Sequence, residues 1–224
     1  MKINKFNYVM DNEYLKNPSE KRTKILLLDG ECTLYEPNIW LYLKSSAKKT
    51  ASILMKNKNK VLKFAYLRLK EIIFNKHIRE NDLIYVNLTK RLEYAISKEA
   101  KEKIKARILN SKRIKKLIEN LDNLKEKFDE IYILTDNPTK TIRDFFKHHG
   151  IETLRKNSKR IKIIKEKLHN TDFTLLTDGT NDLRFFGWGV KVIPTKQLRI
   201  TNRIGVNQLP YAKPFDKCLE ELLE

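Results

Sequence analysis

The sequence predicts an α/β fold: a central parallel sheet, interrupted after its first strand by an all-helical insertion. Four short runs lack polar alternation: KILLLD (24–29), EIYILTD (130–136), DFTLLTD (172–178) and VKVIP (190–194). Such runs suit strands covered on both faces, as in parallel sheets. Helical patterns alternate with the later runs, the order expected of an α/β sheet. Between Pro37 and Pro138 there is neither glycine nor proline over about a hundred positions, which argues for helices with few tight turns.

The elements follow in order. The opening MKINKFNYVMDNEYLKNPSEKR is polar and lacks the continuous apolar stretch of a signal peptide. The first strand runs from Lys24 and stops on Asp29-Gly30. In the insertion, Val61, Phe64, Ala65, Ile72 and Ile73 share a helical face. Leu88, Leu92, Ala95 and Ile96 form a second such set, and Ile114, Leu117, Ile118 and Leu121 a third, with Asn110 or Ser111 as its cap. After the second strand, Thr139–His149 carries Ile142, Phe145, Phe146 and His149 on one side. Pro138 stands at its start and Gly150 at its end. Ser158–Leu168 carries Ile161, Ile164 and Leu168. Beyond the third run, Phe185, Phe186 and Trp188 pack under the last strand, and Gly187 and Gly189 allow a tight turn. Phe215–Leu223 reads as a short helix packing on the domain or on a partner. The α/β core therefore takes 1–37 and 110–224, and the helical insertion 38–109, a size typical of a small domain.

Composition bounds the function classes. The chain has 224 residues, 41% hydrophobic and 33% charged, with a net charge of +19. That excess attracts polyanions or phosphorylated substrates, although a lysine-rich solvated surface accounts for part of it. Cys32 and Cys218 give neither a disulfide framework nor metal spacing, so a reducing cytoplasm is the simplest compartment. No apolar run approaches the ~20 residues of a membrane span, and no membrane partner is expected.

Ligands of parallel sheets bind beyond the carboxyl ends of the strands. Three oxygen-rich clusters lie at such ends: Asp29-Gly30-Glu31-Cys32-Thr33, Thr135-Asp136-Asn137 and Thr177-Asp178-Gly179-Thr180-Asn181-Asp182. Carboxylates converging on one crevice repel unless a cation or proton lies between them. Oxygen-only ligands favour a hard ion, and Mg²⁺ is the expected one. Cys32 lacks an evident histidine partner among His77, His148, His149 and His169, so it reads as loop filler.

These clusters, in this order, resemble the signature of the haloacid dehalogenase superfamily, whose members are mostly phosphatases. Its first motif is an apolar strand followed by Asp-x-Asp-x-Thr or Val, and its second an apolar strand ending in Ser or Thr. Its fourth is an apolar strand followed by Gly-Asp-x-x-x-Asp; Asp178-Gly179-Thr180-Asn181-Asp182 is similar to the phosphoserine-phosphatase-like branch. That branch carries a helical cap domain between the first and second motifs. The resemblance covers about residues 24–194 and implies a Rossmann-like core with a helical cap.

It also implies roles. Asp29 is the nucleophile, forming an aspartyl-phosphate. Asp178 binds Mg²⁺, and Asp182, one helical turn on, binds it through water or holds the lysine. Thr135 bonds a phosphate oxygen, with Asp136, Asn137 and Asn181 in the substrate-binding set, and Thr33 orients Asp29. The third motif is a lysine upstream of the fourth. Lys156, Lys159 and Lys162 compete, with Arg155 and Arg160 beside them; Lys159, opening a helix after Ser158, is the choice.

Glu31 departs from the pattern, standing where most family phosphatases have a second aspartate. Its carbonyl still serves the metal, and its carboxyl remains the acid and base of the reaction, but it reaches one methylene further. Misplacement by about an ångström costs ~10²-fold in rate, so turnover is normal only if the backbone compensates. The expected function is a Mg²⁺-dependent phosphatase acting on a small phosphorylated substrate. The alternatives are a nucleic-acid-associated protein, as an end phosphatase or a catalytically weakened binding module, and a phosphotransferase of the same superfamily.

Overall fold

The computed structural model describes residues 22–74, 78–135, 139–156, 171–179, 190–196, 198 and 211–224. They form a Rossmann-like α/β fold around a five-stranded, all-parallel sheet. The strands are β1 (Thr23–Asp29), β2 (Glu130–Thr135), β3 (Glu152–Arg155), β4 (Thr171–Thr177) and β5 (Val190–Pro194), in the order β3-β2-β1-β4-β5. Each of the four apolar runs is a strand. β3 was not announced: ETLR is short and has a single buried apolar residue, Leu154.

β1 is central. Ile25 pairs with Glu130 on one side and Phe173 on the other, and the register continues to Asp29 beside Leu134. Alternate β1 residues feed two hydrophobic clusters. Leu26 and Leu28 join Ile133, Leu176 and Ile193 on one face; Ile25 and Leu27 join Leu134, Phe173 and Leu175 on the other. A strand buried on both faces has no use for a polar residue until its end, which is why LLL runs straight into Asp29.

Among the described residues, seven helices lie between β1 and β2: α1 (Asn38–Ser45), α2 (Ala47–Lys56), α3 (Lys58–Phe74), α4 (Arg79–Ala95), α5 (Lys98–Leu109), α6 (Lys112–Glu119) and α7 (Leu121–Lys127). α8 (Lys140–His148) joins β2 to β3, and α9 (Phe215–Leu223) lies near the carboxyl end of the chain. Leu41, Leu92, Ile96, Ile104, Ile108, Leu117 and Leu124 share one cluster with Leu26, Ile133 and Phe146, so this face of the sheet is covered by helices from both sides of residue 109. Phe215, Cys218, Leu219 and Leu222 place α9 in the same cluster.

Local chemistry explains the boundaries. Ser97 caps α5 by accepting from Ala100 N, and Thr139 caps α8 by accepting from Ile142 N. Gly150 ends the α8 turn at φ 71°, where a side chain is strained. Ser111 precedes α6 but makes no cap bond; its hydroxyl donates to Leu34 O at 2.8 Å, tying α6 to the turn after β1. The face grouped as Val61, Phe64, Ala65, Ile72 and Ile73 divides. Val61 and Phe64 are half-buried, whereas Ala65 and Ile73 are exposed. No described helix is long and apolar enough to cross a membrane.

Candidate functional site at the carboxyl ends of the strands

The chain leaves β1 in one direction to reach β2 and β3, and in the other to reach β4 and β5. Such a reversal opens a crevice beyond the carboxyl ends of the two strands at the switch. Here those strands are β1 and β4, and the crevice is flanked by Asp29 and Asp178.

Thr33 brings the two acids together. Its Oγ1 lies 2.7 Å from Asp29 Oδ2 and 2.9 Å from Asp178 Oδ1, and it accepts from Asp178 N at 3.2 Å. All three side chains are buried. A hydroxyl carries one hydrogen, so it can donate to one carboxylate at a time. Two buried carboxylates sharing one hydrogen make an arrangement that an added cation stabilises.

One cation is in place. Lys156 continues β3, its N donating to Thr135 O at 3.1 Å, and its ammonium sits 2.9 Å from Asp29 Oδ1. Both side chains are more than nine-tenths buried, which separates this pair from the more exposed lysine contacts among the described residues. Lys156 was one of the three lysines competing for the third motif. Lys159, the chosen one, lies outside the described residues, as do Asp136, Asn137, Asn181 and Asp182.

The turn after β1 is tightly determined. Gly30 O accepts from Leu34 N and Tyr35 N, at 2.9 and 3.1 Å. Gly30 itself is required by close approach, because a Cβ there would lie 2.8 Å from Tyr35 Oη and 3.1 Å from Leu134 O. Cys32 takes φ 67°, the left-handed region. Burial pushes its thiol well above the ordinary range, and Asp178, Glu31 and Asp29 push it further, all favouring the neutral thiol. From outside, Arg113 donates to Thr33 O at 2.5 Å and Lys196 O at 2.8 Å.

Glu31 turns its longer side chain toward the helices. It accepts from Asn38 N at 3.2 Å, Asn38 Nδ2 at 2.9 Å, Thr135 Oγ1 at 3.2 Å and the hydroxyl of Tyr85 on α4. Burial and then the charge of Glu31 hold Tyr85 protonated, as a donor. Phe64 of α3 stacks on Tyr85, ring centroids 5.9 Å apart. Asn38, Tyr85 and Arg113 escaped sequence reasoning: Asn38 follows a proline like any helix-opening residue, and neither Tyr85 nor Arg113 sits in a local pattern.

A hard divalent ion fits the two-carboxylate set of Asp29 and Asp178, since Mg²⁺ commonly takes one or two carboxylates and keeps its waters. Among the described residues, no three His, Cys, Asp or Glu side chains form a metal-holding group, and the Glu31 carboxylate is directed elsewhere. A separate cleft of about 470 Å³, lined by Lys24, Phe128, Asp172 and Lys191, lies at the amino ends of the strands, away from these acids. No family model matches the chain, and no curated protein matches its sequence.

Proposed function

We propose that the chain is a Mg²⁺-dependent phosphomonoester hydrolase working through an aspartyl-phosphate on Asp29. The observation that carries this reading is the junction of Asp29, Asp178 and Lys156 through Thr33 at the β1/β4 crevice. A carboxylate aimed out of a strand end beside a buried ammonium suits attack on a phosphoryl group.

Asp29 attacks phosphorus with a carboxylate oxygen; the new O–P bond forms as the bond to the substrate's alkoxide breaks. Thr33 holds the other face of that carboxylate, and Lys156 offsets charge on the phosphoryl oxygens. The contacts of Glu31 with Asn38, Thr135 and Tyr85 must be exchanged for substrate first, so turnover is normal only if the turn after β1 lets the carboxyl go. Released from those donors, Glu31 takes up a proton from solvent, gives it to the departing alkoxide, and then takes one from the water that cleaves the aspartyl-phosphate. Mg²⁺ held by Asp29 and Asp178 supplies charge neutralisation beside the phosphate when bound. The helices of 38–109, α1 to α5, act as the cap, with Tyr85 of α4 bonded to Glu31 at the crevice. The substrate is a small phosphate monoester; the +19 charge makes a nucleic-acid phosphate end the second class, distinguished by a steep loss of binding with salt.

The test is hydrolysis of p-nitrophenyl phosphate with Mg²⁺, with EDTA, and by Asp29→Asn. The expected result is loss with EDTA, recovery with added Mg²⁺, and at least a ~10³-fold loss in the variant. Hydrolysis indifferent to both treatments would falsify the mechanism.

A further inference from the structure

Helix α3 carries apolar residues on two opposite sides. Its inner side holds the stacked Phe64, the buried Leu67 and the buried Glu71. Leu62, Tyr66, Leu69 and Ile73 follow one another at four, three and four residues, so they stand in one row along the helix. At about 100° per residue that row lies across the axis from Phe64, Leu67 and Glu71. All four are more than half exposed, at 67%, 55%, 57% and 70%, and Phe74 at the helix end is 68% exposed. Scattered exposed apolar side chains are ordinary, but a continuous row along three turns marks a contact surface.

Its surroundings are cationic. From residue 47 to 74 there are eight Lys and Arg residues and a single acid, Glu71, which is buried on the inner side. Lys58 stands one turn before the row, and Lys63 and Lys70 border it on one side; Lys63 also reaches Glu80 at 2.5 Å, and the Lys70 ammonium lies 4.7 Å above the Tyr66 ring.

We propose that this row docks on an anionic lipid bilayer. α3 lies flat, with Leu62, Tyr66, Leu69 and Ile73 at the acyl boundary and the lysines among the headgroups. A second copy of the chain fits less well. It would bring two lysine-rich helices together, and the row exposes on the order of 500 Å² where a stable pair needs about 800 Å² per partner. Nucleic acid would use the charge and leave the apolar row in water; a bilayer uses both. Lying on a surface requires no spanning length, so the lack of a membrane-crossing helix is compatible with this contact. The row faces away from Tyr85, so docking stands independently of the proposed reaction.

The experiment is flotation of the full chain with phosphatidylcholine vesicles, with and without phosphatidylserine, for the wild type and for Leu62→Ser/Leu69→Ser. Thermal melting and sedimentation velocity accompany it. The wild type is expected to float with phosphatidylserine vesicles and at least ~10-fold less without them; the double variant is expected to lose ~10-fold or more with its melting temperature unchanged. Indifference to phosphatidylserine overturns the proposal, as does a variant that floats like the wild type. A dimer that the variant dissolves assigns the row to a second copy, and a large fall in melting temperature assigns it to the chain's own core; either also overturns it.

Discussion

At the scale of single residues, the site depends on atoms whose removal has distinct signatures. Lys156→Met leaves the Asp29 carboxylate buried without its ammonium; the expected outcome is loss of the proposed phosphatase turnover by ~10²-fold or more, read in kcat, with a lower melting temperature. Gly30→Ala brings a methyl to 2.8 Å from Tyr35 Oη and 3.1 Å from Leu134 O, and denaturant titration should show a loss of about 1–3 kcal/mol. Asp29, Thr33 and Asp178 were legible in the sequence because the end of an apolar strand is a local signal. Lys156 was not separable from its basic neighbours, because what selects it is the edge strand β3, which ETLR barely announces. The surroundings of Glu31 were illegible for another reason. Asn38 lies seven residues from it and Tyr85 fifty-four, and only the packing of α4 brings the phenol to the carboxylate.

At the scale of elements, two buried carboxylates tie the helices. Glu71 of α3 accepts from Arg68 Nη1 at 2.8 Å, Ile78 N at 2.9 Å and Asn81 Nδ2 at 2.8 Å, joining α3 to the start of α4. Glu71→Ala strands those donors, so chemical denaturation should show a cost of about 3 kcal/mol, with Glu71→Gln milder. Glu93 of α4 accepts from Tyr42 at 2.5 Å and from Thr141 Oγ1 at 2.9 Å, joining α1, α4 and α8. Tyr35, Tyr42 and Tyr85 are each raised above the ordinary tyrosine range, by burial first and then by Glu31 or Glu93. A raised folded value holds the proton more tightly in the folded chain. Its stabilising contribution is therefore complete below the unfolded value of about 10 and disappears as pH climbs above it. Melting temperature should be flat in this respect up to pH ~9 and fall steeply above ~10. A curve that stays level through that window would show that these phenols ionise without cost. Four of the five strands were read correctly because a two-sided buried strand is a run without gaps, which β3 is not. The faces of α3 were blurred because it is apolar on both sides, and a helix of that kind has no single period to read.

At the scale of the whole molecule, charge and topology set the behaviour. A net charge of +19 repels itself, so raising monovalent salt from ~10 mM to ~200 mM should lift the melting temperature by a few degrees in the absence of any ligand. Differential scanning fluorimetry across that range measures it, and an unchanged value would mean the charges are already neutralised locally. Topology acts in time. Among the described strands β1 is the middle of the sheet and the earliest in the chain, yet both strands that flank it lie about a hundred residues or more downstream. At about 5–20 residues per second, the ribosome leaves LLL bare and unpaired for roughly 5–20 s before β2 can leave the exit tunnel. A newborn chain of this kind needs shelter from its neighbours on the polysome, and the helices made in that interval are the first cover it can obtain.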